Sequence, residues 1–192
     1  MRKMKIAITG HTKGIGKACA ELYEREGHEI IGLSRSNGFD ISNVNMCAMK
    51  IVPCDMFINN AYLGTYQSQL FEIICNQWRS QYKTIVNIGS RAKYDHNRTG
   101  SIYSQDKVHL HRTSEYVAYN QGADNKKVRV ININPGWVDT DMANLNLAPD
   151  STKPPADKMM TAEYIADMVK WCTDMPYDVE IFDLSLWKTT TD

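Results

Sequence analysis

Lys5-Ile6-Ala7-Ile8-Thr9-Gly10-His11-Thr12-Lys13-Gly14-Ile15-Gly16 is the stretch whose reading decides the fold. Residues 5–9 form a short apolar run broken by Gly10, the pattern of a buried strand. From Gly14 onward, apolar residues recur at Ile15, Ala18, Cys19 and Leu22, the spacing of a helix over residues 14–26. Strand, glycine loop and helix in that order make a dinucleotide-binding opening. Gly10 permits the tight turn, Gly14 lets backbone amides approach a pyrophosphate, and Gly16 lets the helix pack closely on the strand. A plain glycine turn is the alternative, and three glycines at this spacing directly after a first strand weigh against it.

Moving outward, residues 28–34 read as a second buried strand that ends at Arg35. A carboxylate at this strand end would hydrogen-bond an adenosine ribose, whereas an arginine accommodates a 2'-phosphate. No carboxylate appears before Asp40, and Lys13 supplies a second cation, so NADP is expected over NAD, with NAD still possible. Residues 35–40 are too few for a crossover helix, so one helix of the usual pattern should be missing or reduced to a turn. Residues 43–52 suit a short amphipathic helix stopped by Pro53. Residues 55–59 make the next strand, ending in Asn59, Asn60 and Ala61, where ligands gather in open parallel sheets.

Residues 70–78 predict a core helix, and residues 84–88 a strand that delivers Gly89 and Ser90. Residues 91–100 are loop-like, residues 102–120 helical, and residues 128–133 a further strand, followed by Asn134, Pro135, Gly136, Trp137, Val138, Asp139 and Thr140. Residues 144–158, with three prolines, are irregular and read equally as a substrate lid or a connector. Thr161 caps a helix through Cys172, and residues 179–186 supply a last strand. The expected fold is α/β: a Rossmann-like, doubly wound, mostly parallel sheet with helices on both faces.

The 192 residues suit one domain spanning 1–192, and 43% apolar with 23% charged residues is an ordinary globular composition. A net charge of +0 offers no broad attraction for nucleic acid or an anionic membrane. The five cysteines are odd in number and lack a Cys-x-x-Cys pair, so they predict buried hydrophobes in a reducing compartment rather than a metal site. No stretch has the pattern of a signal peptide or a membrane span, and a cytoplasmic location is the resulting expectation.

If residues 102–120 are helical, Tyr103 and Lys107 share one face a turn apart. A free phenol has a pKa of about 10, and a nearby lysine cation should favour the phenolate, as general acid/base work requires. An exposed helical pair is the plain alternative.

Taken together, these residues resemble the short-chain dehydrogenase/reductase family along most of the chain. Residues 9–16 are similar to its T-G-x-x-x-G-x-G loop, and Asn59-Asn60-Ala61 to its N-N-A-G. Ser90 and Tyr103 match its serine-tyrosine spacing, Lys107 completes Tyr-x-x-x-Lys, and Pro135-Gly136 with Thr140 resemble its P-G motif and following threonine. The resemblance implies Tyr103 as acid/base catalyst, Lys107 tuning it and holding the nicotinamide ribose, and Ser90 bonding the substrate oxygen. Cofactor contacts would come from Gly10, Thr12, Lys13, Gly14, Ile15, Gly16, Arg35, Asp40, Asn59, Asn60, Ala61, Tyr103, Lys107, Pro135, Gly136, Val138 and Thr140. Asp40 would meet the adenine and Thr140 the carboxamide.

The implied reaction is hydride transfer between NADP(H) and a carbonyl or alcohol substrate. A dinucleotide-binding module with little or no turnover, or an isomerase or epimerase using bound NADP, is the alternative. Two departures stand out. Tyr62 replaces the motif glycine, and the segment from Asn60 to Ser90 is short, leaving no counterpart of the helix asparagine in the family's proton relay. Asn76 is available at the wrong spacing. The shortening also removes part of a helix through which relatives dimerise, so oligomeric state is not inherited.

Overall fold

The structure, a computed structural model, describes residues 2–94, 101–119, 127–145 and 153–189. Among the described residues six strands make one parallel sheet in the order β2-β1-β3-β4-β5-β6. They are β1 (Lys5–Thr9), β2 (Glu29–Leu33), β3 (Met56–Asn59), β4 (Thr84–Ile88), β5 (Arg129–Pro135) and β6 (Asp183–Leu186). The α-helices of the described residues alternate with them: α1 (Gly14–Arg25), α2 (Val44–Ile51), α3 (Tyr66–Trp78), α4 (Ile102–Tyr119) and α5 (Ala162–Asp174). This is the α/β, Rossmann-like arrangement that the first strand, loop and helix predicted.

The period-two alternation of the strands builds two cores. Ile6, Ile8, Met56, Ile58, Val86, Ile88, Ile131 and Ile133 face α1 and α5. Ala7, Phe57, Ile85 and Val130 face the opposite way, onto α2, α3 and α4. Strands buried on both faces have to be apolar throughout, which is why their sequences read as continuous runs.

A single 3-10 turn, Arg35–Asn37, stands where the missing helix was expected, closed by a capping box between Ser34 and Asn37. α2 then makes the crossover from edge strand β2 to β3. Because β2 and β3 flank β1 on opposite sides, the chain reverses direction there, and a crevice opens at the carboxyl ends of β1 and β3.

Some expectations shift. α3 begins at Tyr66, earlier than its apolar pattern indicated, and β6 begins only at Asp183. Of the irregular stretch 144–158, the ends form 3-10 turns, Asp141–Leu145 and Ala156–Lys158, and residues 146–152 lie outside the described residues. So do residues 95–100 of the loop after Ser90, and Asn120. All five cysteines are buried, and none is joined in a disulfide. Among the described residues no helix is long and apolar enough to cross a membrane.

Candidate active site

The crevice is fastened at its base by one side chain. Thr9 Oγ1 accepts from the backbone amides of Asn60 at 3.0 Å and Ala61 at 3.1 Å, and Asn60 Nδ2 donates to the Thr9 carbonyl at 3.0 Å. The glycines fit this closeness. Gly10 has a φ of +70°, and a Cβ on Gly16 would come within 2.3 Å of the Gly10 carbonyl oxygen. No other residue type lets α1 start that near β1, so the first amides of the helix stay open to an anion at the loop. A Cβ on Gly14 would meet Thr140 Cγ2 at 3.0 Å, which places the segment after Pro135-Gly136 against the glycine loop. Thr12 and Lys13 are exposed on the loop. This cradle of glycine backbone fits a pyrophosphate.

Arg35 is exposed at the end of β2, and its charge helps hold the Asp40 carboxyl below its ordinary value, after the larger contribution of hydrogen bonds from Ser42. Asp40 Oδ1 accepts from the Ser42 amide at 2.9 Å, so this carboxylate is fixed by its own turn. Lys13 Nζ lies 2.9 Å from Asp141 Oδ2, and both side chains are more than 70% exposed. Such a surface pair is held weakly, and Lys13 can exchange Asp141 for another anion.

Ser90, Tyr103 and Lys107 come together at the carboxyl end of β4. Ser90 hydrogen-bonds the Tyr103 phenol, and Ser90 Oγ also accepts from the Ala92 amide at 3.1 Å. Lys107 Nζ sits 5.5 Å from the centre of the Tyr103 ring. The expectation that the lysine would pull the phenol down needs correction. Burial raises the Tyr103 phenol above its ordinary value, and the Ser90 bond only partly offsets it. Lys107 is itself buried at 3% exposure, and desolvation lowers its pKa to about 7, against a smaller opposing pull from Asp106.

What holds Lys107 was invisible in the sequence motifs. Its ammonium donates to Gln67 Oε1 at 2.7 Å and to the Ile88 carbonyl at 3.0 Å. Gln67, in the first turn of α3, also donates to the Asn59 carbonyl at 2.8 Å and the Ile88 carbonyl at 3.1 Å. With α3 starting at Tyr66, close behind Ala61, Gln67 lands beneath Lys107, a place for which the sequence motifs offered no asparagine. Asn76 is exposed on the far side of the helix. Below Gln67, Asn59 Nδ2 donates to Asn87 Oδ1 at 2.9 Å, and Asn87 Nδ2 to Ser114 Oγ at 3.0 Å, a buried polar ladder tying β3 and β4 to α4.

Tyr62 is the other unanticipated neighbour. Its ring meets Tyr103 edge-on, with centroids 4.9 Å apart, and its hydroxyl donates to Asp106 Oδ2 at 2.9 Å. On the opposite flank, Arg91 stacks over the Trp187 ring at 4.7 Å. A Cβ on Gly136 would touch both side chains, so the P-G turn is packed beneath them. Val138 is buried and bridges to Met160.

The lowered Lys107 pKa sets a stability slope. Between about 7 and the ordinary 10.5, the unfolded chain holds a proton that the folded chain does not, so stability rises with pH. The slope approaches 1.4 kcal/mol per pH unit, on the order of magnitude of one full proton. Lys107→Met should flatten the rise. Urea denaturation of parent and variant from about pH 7 to 8, read as the difference between the two so that the thiol titration they share cancels, measures it.

No family model matches the chain. Among curated relatives, the serine 3-dehydrogenase of Agrobacterium fabrum is 23% identical, covering 94% of this chain and 92% of the relative. That alignment runs over 233 positions, more than the 192 residues here, so the relative carries segments this chain lacks. Among solved structures, a closed serine dehydrogenase complexed with NADP+ superposes with a TM-score of 0.75 at 20% identity, over 95% of this chain and 94% of that one. A 3-alpha-hydroxysteroid dehydrogenase from Pseudomonas sp. B-0831 complexed with NADH gives a TM-score of 0.76 at 17% identity, over 95% and 94%. These structures share the architecture described above.

Proposed function

We infer that this chain, a member of the short-chain dehydrogenase/reductase family and so a pyridine-nucleotide oxidoreductase, works with NADP(H) on a small alcohol or carbonyl compound. The observation that carries the reading is the Ser90–Tyr103 hydrogen bond with Lys107 one helical turn below, all beside the glycine-loop crevice. Gly10, Gly14, Gly16 and Thr12 would hold the pyrophosphate, Asn60 and Ala61 the floor beneath it, and Arg35 with Lys13 the 2'-phosphate. The cofactor, when bound, supplies hydride to the substrate carbon or accepts it.

The chain's own residues do the rest. In the reducing direction the Tyr103 phenol gives its proton to the carbonyl oxygen, and the Ser90 hydroxyl donates to that oxygen as negative charge grows on it. The phenolate left behind is favoured by a Lys107 cation and regains its proton from solvent. Oxidation runs the same proton path backwards. The raised Tyr103 pKa suits the acid role, since the phenol stays protonated until the substrate needs it.

The test is turnover of purified protein with NADPH, NADH and a panel of alcohols and carbonyls. Serine and other hydroxy acids lead that panel, because Arg91 puts a cation beside Ser90 and because curated relatives are serine 3-dehydrogenases. Turnover with any member supports the reading. No turnover alongside tight NADPH binding would instead favour the binding module without chemistry.

The 2'-phosphate assignment makes its own prediction. Loss of one charge-assisted contact in Arg35→Ala should weaken NADPH binding by roughly ten- to a hundredfold and leave NADH unchanged. Equal affinities for the two cofactors, unaltered by the substitution, would refute it.

A further inference from the structure

We propose that Tyr62 is a gate over Lys107, a positioning residue whose ring covers the ammonium until a dinucleotide displaces it. The proposal rests on the cofactor reading above and goes beyond it in assigning a closed state. Two of the three N–H groups of Lys107 are taken by Gln67 and the Ile88 carbonyl. The remaining side is covered by two aromatic faces, with Nζ 5.3 Å from the Tyr62 ring centre and 5.5 Å from that of Tyr103. The lysine is 3% exposed.

A ribose hydroxyl that is to bond Lys107 has to enter where one of these rings lies. Tyr103 is carried by α4 and bonded to Ser90, so it stays. Tyr62 sits on the short connection between β3 and α3, immediately after Ala61 and two residues before Gly64, whose φ is +54°. Its restraints are the edge-on contact with Tyr103 and the latch to Asp106. A ring pair and a charge-assisted hydrogen bond hold the closed state without locking it. Where a glycine would leave the lysine open, this chain places a latched ring. Apparent cofactor affinity is then reduced by the fraction of molecules that are open.

The experiment is titration and stopped-flow mixing of wild type, Tyr62→Gly and Tyr62→Phe with NADPH, following cofactor fluorescence. Tyr62→Gly should bind on the order of tenfold tighter or more, and Tyr62→Phe, which keeps the ring and loses the latch, should fall between. The observed rate in wild type should level off at high NADPH, limited by opening, and should stay linear in Tyr62→Gly. Thermal melts confirm that each variant is folded. Wild-type binding that both substitutions leave unchanged or weaken overturns the gate alone. Failure of all three proteins to bind NADPH or NADH overturns the cofactor reading and the gate with it.

Discussion

Replacing Tyr103 with phenylalanine should lower kcat by about a thousandfold, within the range general acid/base groups contribute, while NADPH affinity changes by less than about twofold. The size follows from what the substitution removes. Phenylalanine fills the same space between Tyr62 and Lys107, so the ring contact and the cover over the ammonium survive. Only the hydroxyl goes, and with it the single proton donor that Ser90 holds in place. Ser90 remains able to bond the substrate oxygen, so binding persists and the loss falls on kcat. Single-turnover rates and equilibrium titration, measured on the same preparation, separate the two effects. A fall in activity matched by an equal fall in cofactor affinity would show that Tyr103 is a binding residue and not the acid.

Gln67→Leu should cost about 3 kcal/mol of stability. By the usual scaling for a chain of this size, the melting temperature should drop by roughly 6–12 °C. Leucine is close in size and apolar, so the cavity term is small. The loss comes from three broken hydrogen bonds inside the protein. The Lys107 ammonium loses its closest acceptor, and the Asn59 and Ile88 carbonyls lose the donor they share. Gln67 is 2% exposed, so water does not replace the lost bonds. Urea denaturation at neutral pH gives the number. A variant as stable as the parent would mean that Lys107 finds another acceptor without cost, and the assignment of Gln67 as its support would fall.

These two residues show where sequence and structure part. Tyr103 was legible because a helix converts a spacing of four into a shared face, and because Ser90 closes a strand whose apolar run leaves little choice of register. β1 to β5 and their order of appearance were legible for the same reason. Gln67 was hidden because the first turn of α3, Tyr66 to Gln69, is mostly polar and has no apolar period to announce a helix. Thr65 gives it no side-chain cap either, so the helix start carried no local signal. Tyr62 was visible as a departure from a motif, yet its packing depends on α4, which lies far along the chain. The same holds for Lys13, whose partner Asp141 is 128 positions away. Contacts of that kind are set by the sheet order, and no local window contains them.

The Thr9 fastening across the crevice also bears on the order of events as the chain folds. β1 and β3 pair across about fifty residues, Ile6 opposite Met56, with α1, β2 and α2 looped out between them. Closing a loop of that length is slow relative to forming the local helices, so the Thr9 bonds to Asn60 and Ala61 form late. Until they do, the glycine loop has no floor and the dinucleotide has nowhere to bind. Cofactor added to the refolding chain should therefore leave the folding rate unchanged and slow unfolding instead, lengthening the life of the folded molecule.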